Sequence, residues 1–532
     1  MSSLHRVAWL GAALSAAVMA GAIALRAAQT STALFDLAII NARIIDGTGA
    51  PARTADIGIR DGRITRIGKV NAAEARERLD AKGLTVAPGF IDVHTHGDNV
   101  ADRPLAENFT RMGVTSIVAG NCGTSALNVG EAFERIQEAG IAVNFATLIG
   151  HNTVRAAVMG SANRDPGLAE LKAMQILVFK AMAEGAVGFS TGLQYVPGVY
   201  AKPNEIVELA RVAGNEGGIY ATHMRNEGTA VEESIAESIR AIRRLDMPLE
   251  ISHLKIDSPS RWGSSPSVLK MIDDARALGM RIQADAYAYT SGASSLSIRF
   301  PAWVFDGGDA AMRARLHDPA AWLKIKAEME AMLAERGFPD LSWATIANYA
   351  ADPTMNGLTI PQVARKMIGD SSEASQLEAA RILMLNGGAS MIYAFMSDDD
   401  VDRILKHPMV SVASDAGVNA GGDQTAHPRA FGNTARVLGE YVRERKIMTL
   451  EEAVRKMTSL PATFFKFEGR GVIREGAAAD LVLFDPATVK DAATAGAFPA
   501  GIPHVLVNGV FVVRDGRTTG AKPGSILLRG RH

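Results

Sequence analysis

The sequence predicts a parallel barrel of eight β/α units joined to a small β-domain built from both chain ends. Three observations point there. Strand-like apolar runs alternate with helical stretches through the middle of the chain, a rhythm that builds parallel sheets. Eight such runs can be counted, and polar residues gather at their C-terminal ends. The two chain ends have another texture, with short β-branched runs separated by glycine-rich turns.

Taken in order, the chain opens on MSSLHRVAWLGAALSAAVMAGAIALRAAQTSTA. Arg6 precedes an apolar run from Val7 to Leu25, and small residues follow. This fits a secretory signal peptide cleaved near Ala27, Ala28 or Ala33. The run is also just long enough to span a bilayer, so an uncleaved membrane anchor is the alternative. Either reading of residues 1–33 places the body outside the cytoplasm, periplasmic or secreted, and a membrane is a partner only if the anchor is kept. Next, LFDLAIINARIIDGTGAPARTADIGIRDGRITRIGKV reads as a small antiparallel sheet with DGTG and RDGR turns. GVIREGAAADLVLFDP and HVLVNGVFVVRDGRT, near the C-terminus, share its texture. Residues 34–88 and 466–532 are therefore expected to pair as one β-sandwich domain.

Residues 89–465 carry the strand–helix alternation. The strands are VAPGFIDV ending at His94, VTSIVAG before Asn121 and Cys122, NFATLIG before His151, and AVGFS before Thr191. GIYAT before His223, LEIS before His253, RIQADAYAY, and MVSVAS before Asp415 complete the set. EAFERIQEAG and EESIAESIRAIRRL are examples of the helices between them. Eight units make a TIM (β/α)8 barrel, whose active site lies at the strand C-termini. Between the seventh and eighth strands the spacing exceeds one helix. Residues 299–386, approximately, are expected to form an inserted, mostly helical subdomain near the barrel mouth, either covering the site, binding substrate or acting as a structural wedge.

Composition narrows the function. Of 532 residues, 47% are hydrophobic and 21% charged, an ordinary globular balance. Lys plus Arg is 56 against 57 for Asp plus Glu, with no basic block, which argues against nucleic acid as the main partner. Cys122 is the only cysteine, so no intrachain disulfide can form.

The chemistry lies in the strand-end residues. His94 and His96, two apart in a strand, share a face. Cys122, His223, His253 and Asp415 stand at the ends of other strands of the same barrel. Singly, each has an ordinary reading as a loop, turn or capping residue. Jointly, four imidazoles, one thiol and one carboxylate suit zinc (Zn2+) or a similar divalent ion. Six donors exceed one tetrahedral shell, so two adjacent metal positions are expected.

A barrel with HxH after strand 1, His after strands 5 and 6, and Asp after strand 8 resembles the amidohydrolase superfamily. GNCG, STGLQYVPG, ATHMRNE, ISHLK, DAYAYTSG and AHPRAFG are similar to motifs of its D-aminoacylase, or N-acyl-D-amino-acid deacylase, family. SLPATFFKFEGRGVIREGAAADLVLFDP is similar to a stretch common across the superfamily, and the likeness runs from about Phe35 to about Gly516. It implies that Cys122, His223 and His253 hold a tightly bound zinc, the cysteine standing where many superfamily members use a carboxylated lysine. It implies that His94, His96 and Asp415 bound a second, weaker position, and that Asp415 moves the proton. Lys255, Tyr289, Ser295 and Arg429 are implied to bind the substrate carboxylate. His151 and Arg155 are implied to shape the site from behind the ligands. Glu227, four residues past His223, either orients a ligand or caps the next helix.

The expected function is thus zinc-dependent hydrolysis of a small-molecule N-acyl amino acid, of D configuration by resemblance alone. A dipeptidase or cyclic-amide hydrolase on the same scaffold is the alternative, and a non-catalytic secreted binding protein the competitor from another class. MSDDD, VASDA and Gln194 depart from the family pattern, and none of the departures is expected to touch a ligand. They bear on acyl-chain and side-chain preference, which stay open.

Overall fold

The computed structural model describes residues 34–423, 425–492 and 496–529, so the leader expected at 1–33 lies outside the described part. Strand β1 (Phe35–Ile44) pairs antiparallel with β2 (Arg53–Arg60), and β2 with β3 (Arg63–Gly68). On its other side β1 runs parallel to β4 (Ala75–Asp80) and β5 (Thr85–Pro88).

LTVAPGFIDV, expected as one strand, is two. Its first half is β5, in the terminal sheet; its second is β6 (Phe90–Asp92), the first barrel strand. Both halves are fully buried and, apart from Thr85 and Asp92, apolar, so hydrophobicity alone does not mark the switch. Gly89 is the joint, and a Cβ placed there would lie 2.3 Å from the Thr115 side chain.

A two-residue strand, β7 (Thr95–His96), follows β6. The barrel then continues through β8 (Val114–Ala119), β9 (Asn144–Gly150), β10 (Gly188–Gly192), β11 (Ile219–His223), β12 (Leu249–Ile251) and β13 (Ile282–Ala286). Every residue of β8 to β13 is buried, as a parallel sheet covered on both faces requires. Helix Val231–Arg243 shows how the cover works. Val231, Ile235, Ser238 and Ile242 recur at helical spacing and are buried, while its charges face outward.

The insertion differs from expectation. Four helices are present, at Asp309–His317, Pro319–Arg336, Ile360–Ile368 and Glu373–Leu385. They are flanked by a three-stranded antiparallel sheet of β14 (Ser291–Ser295), β15 (Ala344–Asn348) and β16 (Ser390–Ala394). The inserted unit thus spans 291–394 rather than 299–386. SGASS has no β-branched or aromatic residue, and its pairing is set by β16 rather than by propensity.

The last barrel strand is β17 (Val410–Val412), giving the order β17-β13-β12-β11-β10-β9-β8-β6. The seam between β6 and β17 closes at the strand ends. The Asp92 carboxylate accepts from the Ser414 N–H at 3.1 Å. The Asp415 N–H donates to the His94 carbonyl at 2.9 Å, and β18 (Ala416–Gly417) then runs parallel to β7.

Strands β19 (Leu481–Phe484), β20 (His504–Val507), β21 (Val510–Arg514) and β22 (Arg517–Thr518) return to the first sheet, where β19 pairs with β5. Nine strands from both chain ends form one hydrogen-bonded sheet. Ile39, Ile57, Val86, Leu481 and Leu506, from strands along its whole order, share one buried cluster, so the sheet folds over on itself. The tail then leaves it for the barrel, where the Leu527 N–H donates to the Phe145 carbonyl at 2.7 Å. No helix among the described residues is long and apolar enough to cross a membrane.

Gly89→Ala is expected to destabilise the protein by roughly 1–3 kcal/mol, because the added methyl overpacks the joint against Thr115. A thermal melt checks this, and an unchanged Tm would contradict the tight joint.

Candidate metal centre

Three of the six candidate ligands hold a left-handed backbone: Cys122 at φ 51°, His253 at φ 35° and Asp415 at φ 52°. Each lies one to three residues past the end of a barrel strand. Non-glycine residues are uncommon there, and three at one place mark a conformation that the surrounding fold enforces. The turn re-aims each side chain toward a common point.

The ligand atoms of His94, His96, Cys122 and Asp415 lie within 4.8 Å of one another. So do those of Cys122, His223 and His253, which makes Cys122 the member shared by both groups. Its Sγ is 3.3 Å from His94 Nε2, 3.3 Å from His253 Nε2 and 3.6 Å from His223 Nδ1. His223 Nδ1 and His253 Nε2 are 2.8 Å apart. Asp415 Oδ1 is 3.1 Å from His96 Nε2 and 3.6 Å from His94 Nε2.

The opposite ring atoms have partners of their own. His223 Nε2 faces Gln194 Oε1 at 2.9 Å, so Gln194, expected to leave the ligands untouched, meets one of them, and His94 Nδ1 faces Asp285 Oδ2 at 3.3 Å. An acceptor there assigns the ring proton outward and leaves the inner lone pair for the cluster. The outer nitrogen of His253 meets Glu227 Oε1 at 3.0 Å and Lys255 Nζ at 2.7 Å. Glu227 accepts from Lys255 Nζ at 2.8 Å. Burial works to raise the Glu227 carboxyl, but Lys255 and the two histidines hold it well below the usual carboxylate range. Cys122 follows the same logic. Burial works to raise its thiol, yet His94, His253 and the bonds from His223 and His253 carry it well below the ordinary range, toward thiolate.

These donors fit a divalent metal. A sulfur and two imidazole nitrogens converge with a lone pair aimed at one point, a set suited to zinc. Two imidazoles and a carboxylate sit beside the same sulfur and suit a second ion.

A cavity of ≈ 440 Å³ opens on the cluster. His96, Cys122, Asp415 and Arg429 form its barrel side, and Ala293, Ser294, Ala347, Ser390 and Met391 of the insertion form the opposite wall. Arg429 starts helix Arg429–Arg436 and is buried. One nitrogen pairs with Asp415 Oδ2 at 2.9 Å, and the guanidinium lies 4.5 Å over the Tyr287 ring. Its Nη1 is buried with no acceptor among the described residues.

The other residues expected at the site have the following surroundings. The Tyr289 hydroxyl donates to Asp491 Oδ2 at 2.7 Å, and its ring packs against Arg436 and against His427 of the cavity lining. Tyr287 is the tyrosine beside Lys255 and Arg429. Both tyrosines lie past the end of β13 and pack on one helix, Tyr287 against Arg429 at its start and Tyr289 against Arg436 at its end. Ser295 is exposed and caps the turn Leu296–Arg299 through the Ser297 N–H at 3.1 Å. Its neighbour Ser294 lines the cavity and bonds the Tyr195 hydroxyl at 3.2 Å. Lys255 is buried with its ammonium on Glu227 and His253, and so braces a candidate ligand. His151 and Arg155 both bond Glu205, tying helix His151–Met159 to helix Pro203–Asn215 without a bond to any of the six. Gln194, Glu227, Asp285 and Tyr287 complete the surroundings. For Asp285 the signal was an ionisable residue inside a strand that is buried throughout.

Glu227→Gln is expected to weaken metal binding about 10- to 100-fold, because the outer partner of His253 loses its charge. Competition against a chelator measures this, and unchanged affinity would contradict the role given to Glu227.

Residues 77–513 match the Amidohydrolase family, and residues 14–89 match the N-terminal domain of the urease alpha-subunit. The N-acyl-D-glutamate deacylase of Alcaligenes xylosoxydans xylosoxydans is 37% identical over 520 residues, covering 93% of this chain and 96% of the relative. The crystal structure of N-acyl-D-glutamate deacylase from Bordetella bronchiseptica, complexed with zinc and a phosphonate mimic of the tetrahedral intermediate, matches with a TM-score of 0.78. It is 36% identical, covering 93% of this chain and 99% of that one. A D-aminoacylase structure concerned with the functional role of its binuclear metal centre matches at 0.79 and 34% identity, covering 93% and 100%. The chain belongs to the amidohydrolase family, among the N-acyl-D-amino-acid deacylases and D-aminoacylases.

Proposed function

We propose that this protein is a zinc-dependent deacylase that hydrolyses N-acyl-D-amino acids to a carboxylate and a free D-amino acid. The observation that carries the reading is Arg429. It is a buried cation at the metal donors, with one nitrogen on Asp415 and another without an acceptor. A substrate bearing a carboxylate next to a scissile amide supplies that acceptor in reach of the metal donors.

Cys122, His223 and His253 would hold the tighter zinc, and His94, His96 and Asp415, with the same sulfur, a weaker second one. Bound there, zinc would lower the pKa of a water to roughly 7 and polarise the amide carbonyl. The protein's own groups do the rest. Asp415 Oδ1 accepts the proton of the attacking water and returns it to the leaving nitrogen, so that the C–N bond breaks and a neutral amine departs. Arg429 fixes the second oxygen of that carboxylate and aligns the substrate carboxylate. It also keeps Asp415 ionised: burial works to raise the carboxyl, and Arg429 with the facing histidines outweighs it. Tyr287 supports the guanidinium from its ring face.

We further propose that the protein works outside the cytoplasm, held there or exported by residues 1–33. Support comes from Arg6, the apolar run Val7–Leu25 and the small residues after it. N-terminal sequencing of the protein recovered from a periplasmic fraction tests this, and an intact cytoplasmic chain would contradict it.

A panel of paired N-acyl-D- and N-acyl-L-amino acids, with dipeptides, tests the activity. Amine release from the D series should vanish with a chelator and return with zinc; preference for dipeptides or the L series would contradict the proposal. Asp415→Asn should lower kcat by about 10²- to 10⁴-fold with the tighter zinc kept, and near wild-type turnover would remove Asp415 from proton transfer. Arg429→Ala should raise KM for anionic substrates more than for an uncharged amide, and equal losses would argue against a carboxylate clamp.

A further inference from the structure

The metal cavity has a neighbour. A second cavity, of ≈ 470 Å³, lies between the insertion and the loop that follows β10. Val196, Ile298, Phe300, Phe305, Met312 and Met384 give it largely apolar walls, and its described lining includes no lysine, arginine or histidine. Its size falls in the range of about 300–1,000 Å³ that takes a small-molecule ligand. Tyr195 lines both this cavity and the metal cavity. Its ring packs on His223 at 4.6 Å between centroids, and its hydroxyl accepts from Ser294 of the insertion at 3.2 Å. Gln194, the residue before it, lines the second cavity and meets His223 Nε2. The apolar cavity therefore begins directly behind a candidate zinc ligand.

The position of Arg429 decides which end of a substrate faces it. Arg429 stands on Asp415, in the donor group to one side of Cys122, while His223 and Tyr195 stand with the group on the other. An amide is planar and trans, so the α-carbon and the acyl chain leave the scissile bond in opposite directions. The α-carbon carries both the carboxylate and the amino-acid side chain. With that carboxylate on Arg429 and the carbonyl at the metal donors, the acyl chain points past His223 toward Tyr195. An acetyl group has nothing beyond its methyl to place there. A longer chain would remove apolar surface from water in a cavity whose walls are apolar.

We infer that the second cavity is an acyl-chain chamber, entered along Tyr195, and that the substrates are D-amino acids carrying a linear fatty acyl group well beyond acetyl. The inference rests on the deacylase reading above and adds the class of acyl group. The C–N bond breaks as described there, and the acid released is a fatty carboxylate.

The test measures kcat/KM of the zinc-loaded full chain on one D-amino acid bearing acetyl, butanoyl, hexanoyl or octanoyl. Each methylene that enters the chamber should raise kcat/KM about two- to fourfold. A second series keeps acetyl and lengthens the amino-acid side chain from D-alanine to D-norleucine, and its gain should be smaller. A flat acyl series with the acetyl member hydrolysed would overturn the inference and leave the deacylase reading standing. A gain that follows the side chain instead would also overturn it. No amine release from any member would overturn both. Ala302, which lines the chamber, supplies the variant. Ala302→Phe should lower the octanoyl-to-acetyl ratio of kcat/KM about tenfold, and an unchanged ratio would contradict the chamber. That ratio does not depend on how much of the protein is folded. Should Ala302→Phe not fold at all, Ser297→Phe, at another lining position, is read in the same way.

Discussion

The structure depends most on the sulfur of Cys122. It is the one atom on which both donor groups converge, the histidines of strands 5 and 6 from one side and the His94, His96 and Asp415 group from the other. A buried thiolate needs positive charge close by. Here it faces three imidazoles within 3.6 Å, and their outer atoms are fixed by Gln194, Asp285 and Glu227. The left-handed turns at Cys122, His253 and Asp415 exist to serve that convergence. Such turns persist only where the surrounding structure over-determines them, and the fully buried parallel strands supply that constraint.

The same requirement organises the barrel seam. Strands 1 and 8 do not meet along their length, yet Asp92, Ser414, His94 and Asp415 link them where the ligands leave the strands. Closing the barrel and positioning Asp415 are therefore one event. Across the cavity, the insertion brings small side chains up to the donors, and Arg429 sets a cation between the candidate base and the space for substrate. At Gly89, one of the terminal sheet's joints to this assembly, the chain passes from that sheet to the barrel without a loop.

Much of this was legible in the sequence. The eight strands, their order and the six ligand candidates could be read because parallel strands are buried runs and their active ends carry the polar residues. The division of LTVAPGFIDV could not, since both halves are equally apolar. The sheet of the insertion escaped because SGASS has no intrinsic strand character and pairs only when β16 arrives from about a hundred residues away. Tyr289 and Ser295 were placed at the site by motif. In the structure Tyr287 packs on Arg429 and Ser294 lines the cavity, because a shift of one or two residues changes a side chain's partners without changing the motif's composition. Lys255 was read as a substrate contact, but Glu227 holds it behind His253. That pairing joins residues 28 apart and leaves no local pattern.

The central claim is that the thiolate of Cys122 is a metal ligand shared by both halves of the site. X-ray absorption at the zinc edge of the zinc-loaded protein tests it most directly. The expected result is one sulfur scatterer at about 2.3 Å from zinc among nitrogen and oxygen neighbours. A first shell of nitrogen and oxygen alone would contradict it.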